Sequence, residues 1–134
     1  MTPSPTNPTP ETGLTGLAQI AVTVHDLDGA VAFYRDVLGL PLLFQAPPGM
    51  AFLDLGGVRL LLGLGEGTGP EHRASVLYLR AADIAASHRA LAGRGVVFDG
   101  KPHKVHEDAR HELWLATFRD PEGNALALMA ERPK

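Results

Sequence analysis

Bulky apolar residues alternate with small or polar ones from Leu17 to His25, with Ile20, Val22 and Val24 on one face and Gln19, Ala21 and Thr23 on the other. A period of two marks a strand with one buried face. The period then lengthens. Leu27, Val31, Tyr34 and Leu38 recur at helical spacing, which predicts a helix over 27–38 with Asp26 as N-cap and Gly39 as its stop. Short strands are predicted over 41–46, 50–55 and 58–63. Gly56-Gly57 reads as a two-residue hairpin turn, setting Leu55 opposite Val58, Asp54 opposite Arg59 and Phe52 opposite Leu61.

After a glycine-rich stretch over 63–70, read as a linker because it lacks the Lys-Ser/Thr of a phosphate loop, the pattern starts again. Residues 75–81 predict a strand, and 84–94 a helix capped by Asp83, with Ile84, His88 and Leu91 on one stripe and Gly95 at its end. A short strand over 96–98, a polar loop over 99–110, a strand over 111–118, a turn at Asp120–Gly123 and a strand over 124–130 complete it. Asp26 matches Asp83, Gly39 matches Gly95, and VRLLL (58–62) matches NALAL (124–128). Two copies of one strand–helix–strands unit are therefore predicted. Module 1 covers about 17–64 and module 2 about 74–131, with the extra residues of the second copy placed in 99–110.

Composition narrows the classes. A chain of 134 residues suggests one domain, 14–134, and the proline-rich residues 1–13 predict a disordered tail. The net charge of −3 gives no basic patch for nucleic acid. There is no cysteine for disulfides or thiolate metal sites. No apolar run approaches the ~20 residues of a membrane span, and the N-terminus has no signal-peptide pattern. A cytoplasmic protein without nucleic-acid or membrane partners is the expectation.

The string QIAVTVHDLDGAVAFYRDVLGL, taken with the later FRDPEGNALALM, resembles the vicinal oxygen chelate superfamily, which groups glyoxalase, bleomycin-resistance and extradiol dioxygenase proteins. The resemblance covers about 17–131. It implies an α+β fold of two βαβββ modules in tandem, forming curled mixed sheets around a central cavity, often completed as a homodimer. It also implies metal-ligand positions on the first and last strand of each module, here Gln19, Leu61, Val76 and Ala127. Only Gln19 carries a donor atom, so no metal and no other cofactor is expected. His103 and His111 match a subgroup of this family and become candidates for ligand contact.

Strand periodicity extends the list of candidate pocket residues. If Gln19 points inward, so do Phe52 from the hairpin and Tyr78 and Arg80 from the second module. Pairing Arg119 with Asn124 and Ala116 with Ala127 turns Glu112, Trp114, Phe118 and Met129 inward and leaves Leu113 and Leu115 against the helix. Asp54 and Arg59 are expected as a cross-strand ion pair at the rim. This composition suits an apolar or aromatic ligand held by a few hydrogen bonds, and the expected function is metal-free small-molecule binding. The alternative is a metal-dependent lyase, isomerase or dioxygenase with relocated ligands from the His103–Glu112 segment, and a vestigial pocket is a third reading. No serine has a His/Asp partner at a motif spacing, so no catalytic residue is assigned and the sequence leaves open whether the chain is an enzyme.

Overall fold

The computed structural model describes residues 12–13, 15–64 and 75–134. Most of the tail 1–13 and most of the predicted linker lie outside them; Gly63 and Leu64 belong to a strand. The first module runs β1 (Gln19–Val24), α1 (Leu27–Val31), β2 (Leu42–Ala46), β3 (Met50–Leu55) and β4 (Val58–Leu64). The second runs β5 (Leu77–Arg80), α2 (Ile84–Gly93), β6 (His103–Glu107), β7 (His111–Arg119) and β8 (Ala125–Pro133). Each module forms a four-stranded mixed sheet, in the orders β1-β4-β3-β2 and β5-β8-β7-β6. The first and last strand of each module run parallel and the other pairs antiparallel. The fold is thus α+β, built from tandem βαβββ units.

Both helix starts follow from their caps. Asp26 Oδ1 accepts from Gly29 N at 3.0 Å, and Asp83 Oδ1 accepts from Ala86 N at 3.1 Å. Such a bond satisfies one of the orphan donors of a first turn and stabilises by about 1 kcal/mol. The first helix departs from the predicted α-helix over 27–38. It is α-helical only to Val31 and continues as a π-helix over Ala32–Val37, with Leu38 N donating to Phe33 O. The Gly56-Gly57 turn gives the predicted register, Leu55↔Val58, Asp54↔Arg59 and Phe52↔Leu61. Positive φ at both glycines (65° and 98°) is what a tight two-residue turn of this kind demands.

The second module corrects four expectations. Part of the loop over 99–110 is the strand β6, the strand expected at 96–98 is a single bridge from Phe98 to Phe118, and β8 runs on to Pro133. The fourth is register. Three residues, 121–123, turn the chain, with Asp120 N donating to Asn124 O and Gly123 N to Asp120 O. Arg119 therefore pairs with Ala125 and Ala116 with Leu128, one residue away from the expected pairing. A one-residue slip reverses the facing of the whole strand.

The core lies on the helix side of both sheets. Val22, Val24, Leu53, Leu60, Leu62, Phe118 and Leu126 are almost wholly buried there, with Tyr34 and Ile84 from the helical segments. Each such side chain contributes about 1.5–3 kcal/mol by leaving water. The opposite faces stay open, so Phe44, Val76 and Tyr78 are exposed.

The Asp120–Asn124 turn also joins the modules. The buried Asp120 carboxylate accepts from Tyr34 Oη at 2.8 Å and, within its own turn, from the N–H of Glu122 and Asn124 and from Asn124 Nδ2. Burial first, and then the Asp120 carboxylate, push the Tyr34 hydroxyl far above its ordinary pKa. The Glu122 carboxylate reaches back to module 1 and accepts from the N–H of His25 and of Asp26 at 2.7–2.8 Å. Its partial burial raises its pKa, but those donors, with the His25 ring at 2.8 Å from Oε1, outweigh that and hold it below the ordinary value. The two strings that carry the family resemblance are thus in contact: the FYRD tyrosine is bonded to the DPEGN aspartate.

Candidate functional site

A cleft of about 520 Å³ opens between the modules, where the end of the first helix and the β3–β4 turn face β5, α2 and β8. Small-molecule sites fall in the range of about 300–1,000 Å³. Leu38, Leu40 and Leu55 line it from module 1, and Leu79, Leu91, Leu128 and Met129 from module 2. Tyr78, Arg80, Ser87 and Arg94 bring polar atoms to its wall. Arg94 also ties the two sides together, because its Nη1 donates to Val37 O at 2.9 Å. That carbonyl lies in the last turn of the helix, where no intrahelical donor is available, and a cation there is favoured by the helix dipole.

Ten ligand-contact residues are expected from the sequence, and the cleft takes Tyr78, Arg80 and Met129. Gln19 and Phe52 sit elsewhere, on the open face of the first sheet. Phe52 stacks on Phe44 with ring centroids 4.4 Å apart, and the Arg59 guanidinium lies 5.5 Å from the Phe52 centroid. The expected Asp54–Arg59 ion pair does not form, since Asp54 Oδ1 instead accepts from Gly57 N. Gln19 Oε1 is buried and accepts no hydrogen bond among the described residues.

The register shift places three of the ten on the face opposite to the expected one. Glu112, Trp114 and Phe118 pair with Arg132, Ala130 and Leu126 and so share the helix side of the sheet, while Leu113 and Leu115 share the open face with Met129. Phe118 packs against Phe98, which packs against His88 on α2. Trp114 donates its Nε1–H to Glu112 Oε1 at 3.0 Å and lies under the Arg132 guanidinium.

His103 and His111 are not brought together. His103 lies across from Leu115, four residues along β7 from His111, and a strand rises about 3.3 Å per residue. Glu107 and Glu112 face each other with Lys104 between them, and Lys134 pairs with Glu107 as well. Those two lysines hold the Glu107 carboxyl down to about 2. Among the described residues no group of three or more His, Asp, Glu or Cys could hold a metal ion.

The positions at which the family resemblance implies metal ligands give the same answer. Gln19 on β1 offers one amide oxygen, while Leu61 on β4, Val76 before β5 and Ala127 on β8 offer no donor. A divalent ion takes four or more ligands, so these residues do not fit one.

The sequence reasoning missed Leu38, Leu40, Ser87, Ala90, Leu91 and Arg94, which line the cleft from the helical segments and from the residues just past their ends. Leu38 and Leu91 are in the predicted helical stripes, but periodicity reports only that a face is apolar, not which partner leaves it uncovered.

Comparison with known proteins agrees with this architecture. A family model for the Glyoxalase/Bleomycin resistance protein/Dioxygenase superfamily matches residues 16–128. YraH of Bacillus subtilis (strain 168) is 28% identical over 125 residues, which cover 84% of this chain and 95% of that protein. Two crystal structures share the fold at 23% identity and 87% coverage of this chain. One is a member of the same superfamily from Sphaerobacter thermophilus DSM 20745, with a TM-score of 0.72 over 98% of its length. The other is a lactoylglutathione lyase from Agrobacterium tumefaciens, with a TM-score of 0.71 over 94% of its length. No helix among the described residues is long and apolar enough to cross a membrane.

Proposed function

The chain belongs to the Glyoxalase/Bleomycin resistance protein/Dioxygenase superfamily, and from that premise we propose that it is a small-molecule-binding protein, working without a metal, that holds an aromatic or amphipathic ligand in the cleft between its modules. The observation that carries this reading is the cleft itself, a space of about 520 Å³ walled mainly by apolar side chains, leucines foremost, with a few polar groups at set places. Such a wall gains free energy by removing apolar surface from water, and its sparse polar atoms fix orientation. The donor-poor family positions on the sheets support a function carried by shape and apolar contact.

The test is calorimetric titration of the purified protein with a panel of aromatic metabolites and antibiotics, in wild type and in Ala90→Trp. Ala90 is exposed on α2 and lines the cleft, so the indole fills the space without entering the core. Binding that is lost in Ala90→Trp supports the reading, and binding indifferent to it refutes the cleft as the site. A metal-dependent lyase, isomerase or dioxygenase is the rival reading, and one observation favours it: the buried, unpartnered Gln19 Oε1 on the open sheet face. A stoichiometric divalent ion in purified protein, lost on Gln19→Leu or His103→Ala, would establish the rival instead. The exposed apolar residues of the open faces, Phe44, Val76 and Tyr78, support pairing with a second copy of the chain.

A further inference from the structure

The charges around the cleft are one-sided. Arg80 and Arg94 line it, and no aspartate or glutamate does. The chain as a whole carries a net charge of −3, so a cationic wall is not a consequence of composition. Arg35, Lys104 and Lys134 each have a carboxylate partner. The Arg80 side chain makes no hydrogen bond or ion pair among the described residues, and the Arg94 side chain gives a single N–H to the neutral Val37 carbonyl. A guanidinium has five N–H donors in a planar fork, so most of the donor capacity of both side chains is uncommitted. Asp54, next to the lining residue Leu55, directs Oδ1 to the N–H of Gly57 within its own turn.

We propose that the ligand of this cleft is an amphipathic organic anion: an apolar body of up to three rings, carrying one carboxylate, sulfonate or phosphate group that Arg80 and Arg94 receive. The inference rests on the cleft being the binding site. The leucine wall takes the body, and the guanidinium forks match a planar or tetrahedral oxyanion with two parallel hydrogen bonds. Low-dielectric leucines beside the arginines strengthen the attraction relative to open water. A cationic ligand would instead meet two like charges, and a neutral one would leave both forks unused.

The experiment is a fluorescence titration of the full chain with two dyes that share a ring framework, 1-anilinonaphthalene-8-sulfonate and the uncharged N-phenyl-1-naphthylamine. Each is measured in wild type, Arg80→Gln, Arg94→Gln, Arg94→Lys and Ala90→Trp. The sulfonate should bind about tenfold tighter than the neutral dye, the scale of one exposed charge-assisted hydrogen bond. Arg80→Gln should shrink that preference to about twofold, and added salt should weaken it. Because Arg94 also holds Val37, its variants are checked by thermal melting; Arg80→Gln alters an exposed side chain and carries the test alone if Arg94→Gln unfolds. Equal binding of both dyes, lost in Ala90→Trp, overturns the charge inference and leaves the cleft standing. A sulfonate preference that survives Arg80→Gln undiminished overturns it as well. Binding of neither dye, or binding indifferent to Ala90→Trp, overturns the cleft reading itself.

Discussion

Tyr34→Phe isolates one of the bonds that tie the modules together, the buried one. Phenylalanine fills the same ring volume, so the change opens no cavity and removes one hydroxyl. That hydroxyl donates at 2.8 Å to Asp120 Oδ2, with Tyr34 exposed by 1% and Asp120 by 5%. A hydrogen bond to a charged acceptor is worth about 1.5–3 kcal/mol net. Asp120 keeps three other donors, from Glu122 N, Asn124 N and Asn124 Nδ2, so its carboxylate is not stranded and the loss should fall at about 1.5–2 kcal/mol. For a chain of this length that is a fall in Tm of about 5–10 °C. Urea unfolding at pH 7 measures it, with Tyr78→Phe as control because Tyr78 is 56% exposed. A second arm uses alkali. Burial, and then Asp120, raise the Tyr34 pKa above its ordinary value of 10.0 in the folded state. The stabilisation is therefore complete below pH 10 and is lost as pH rises above it, because the unfolded chain releases the proton first. The slope is about 1.4 kcal/mol per pH unit, and Tyr34→Phe should lack that part of the decline. A variant within 0.5 kcal/mol of wild type at pH 7 and with an unchanged alkaline slope would refute the latch.

Two further outcomes are expected. Phe118→Ala should cost about 3–5 kcal/mol, because the ring is buried between the sheet and α2, whereas Tyr78→Ala on the open face should cost under about 0.5 kcal/mol; equal costs by chemical denaturation would contradict the register of β7. The Glu107 carboxyl, hydrogen-bonded first by Lys104 and then by Lys134, should titrate at about 2 by NMR and move up toward the ordinary 4.5 in Lys104→Ala or in high salt; an unmoved midpoint would show that the lysines are not its cause.

Local chemistry was enough for much of this architecture. The β1 alternation, the Asp26 and Asp83 caps and the Gly56-Gly57 turn with its register each depend on residues within a few positions of one another, and the recurrence of the unit is those local signals met twice. Such signals survive in a linear string. The β7–β8 register does not, although the turn itself is legible. Asp120, Pro121, Glu122 and Gly123 read as a turn, but its length depends on whether Asp120 closes the ladder or enters the loop. The Tyr34 hydroxyl, 86 residues away, is one of the four donors that hold that carboxylate and the one that comes from the other module. One residue of turn length then decides which face of β7 meets α2, and with it the placement of Glu112, Trp114 and Phe118.

The cleft is the second thing that only three dimensions decided. Leu38 and Leu91 read as helix stripes and Arg80 as a strand residue, and each reading is sound. Whether two apolar stripes close on each other or leave a gap depends on how the modules dock through Tyr34, Glu122 and Arg94. Docking is set by side-chain contacts far apart in sequence, where no period or cap leaves a mark. The amino-acid order by itself determined the elements, their repeat and the poor donor set at the family's metal positions. Tertiary packing decided which faces were covered and where the space for a ligand was left.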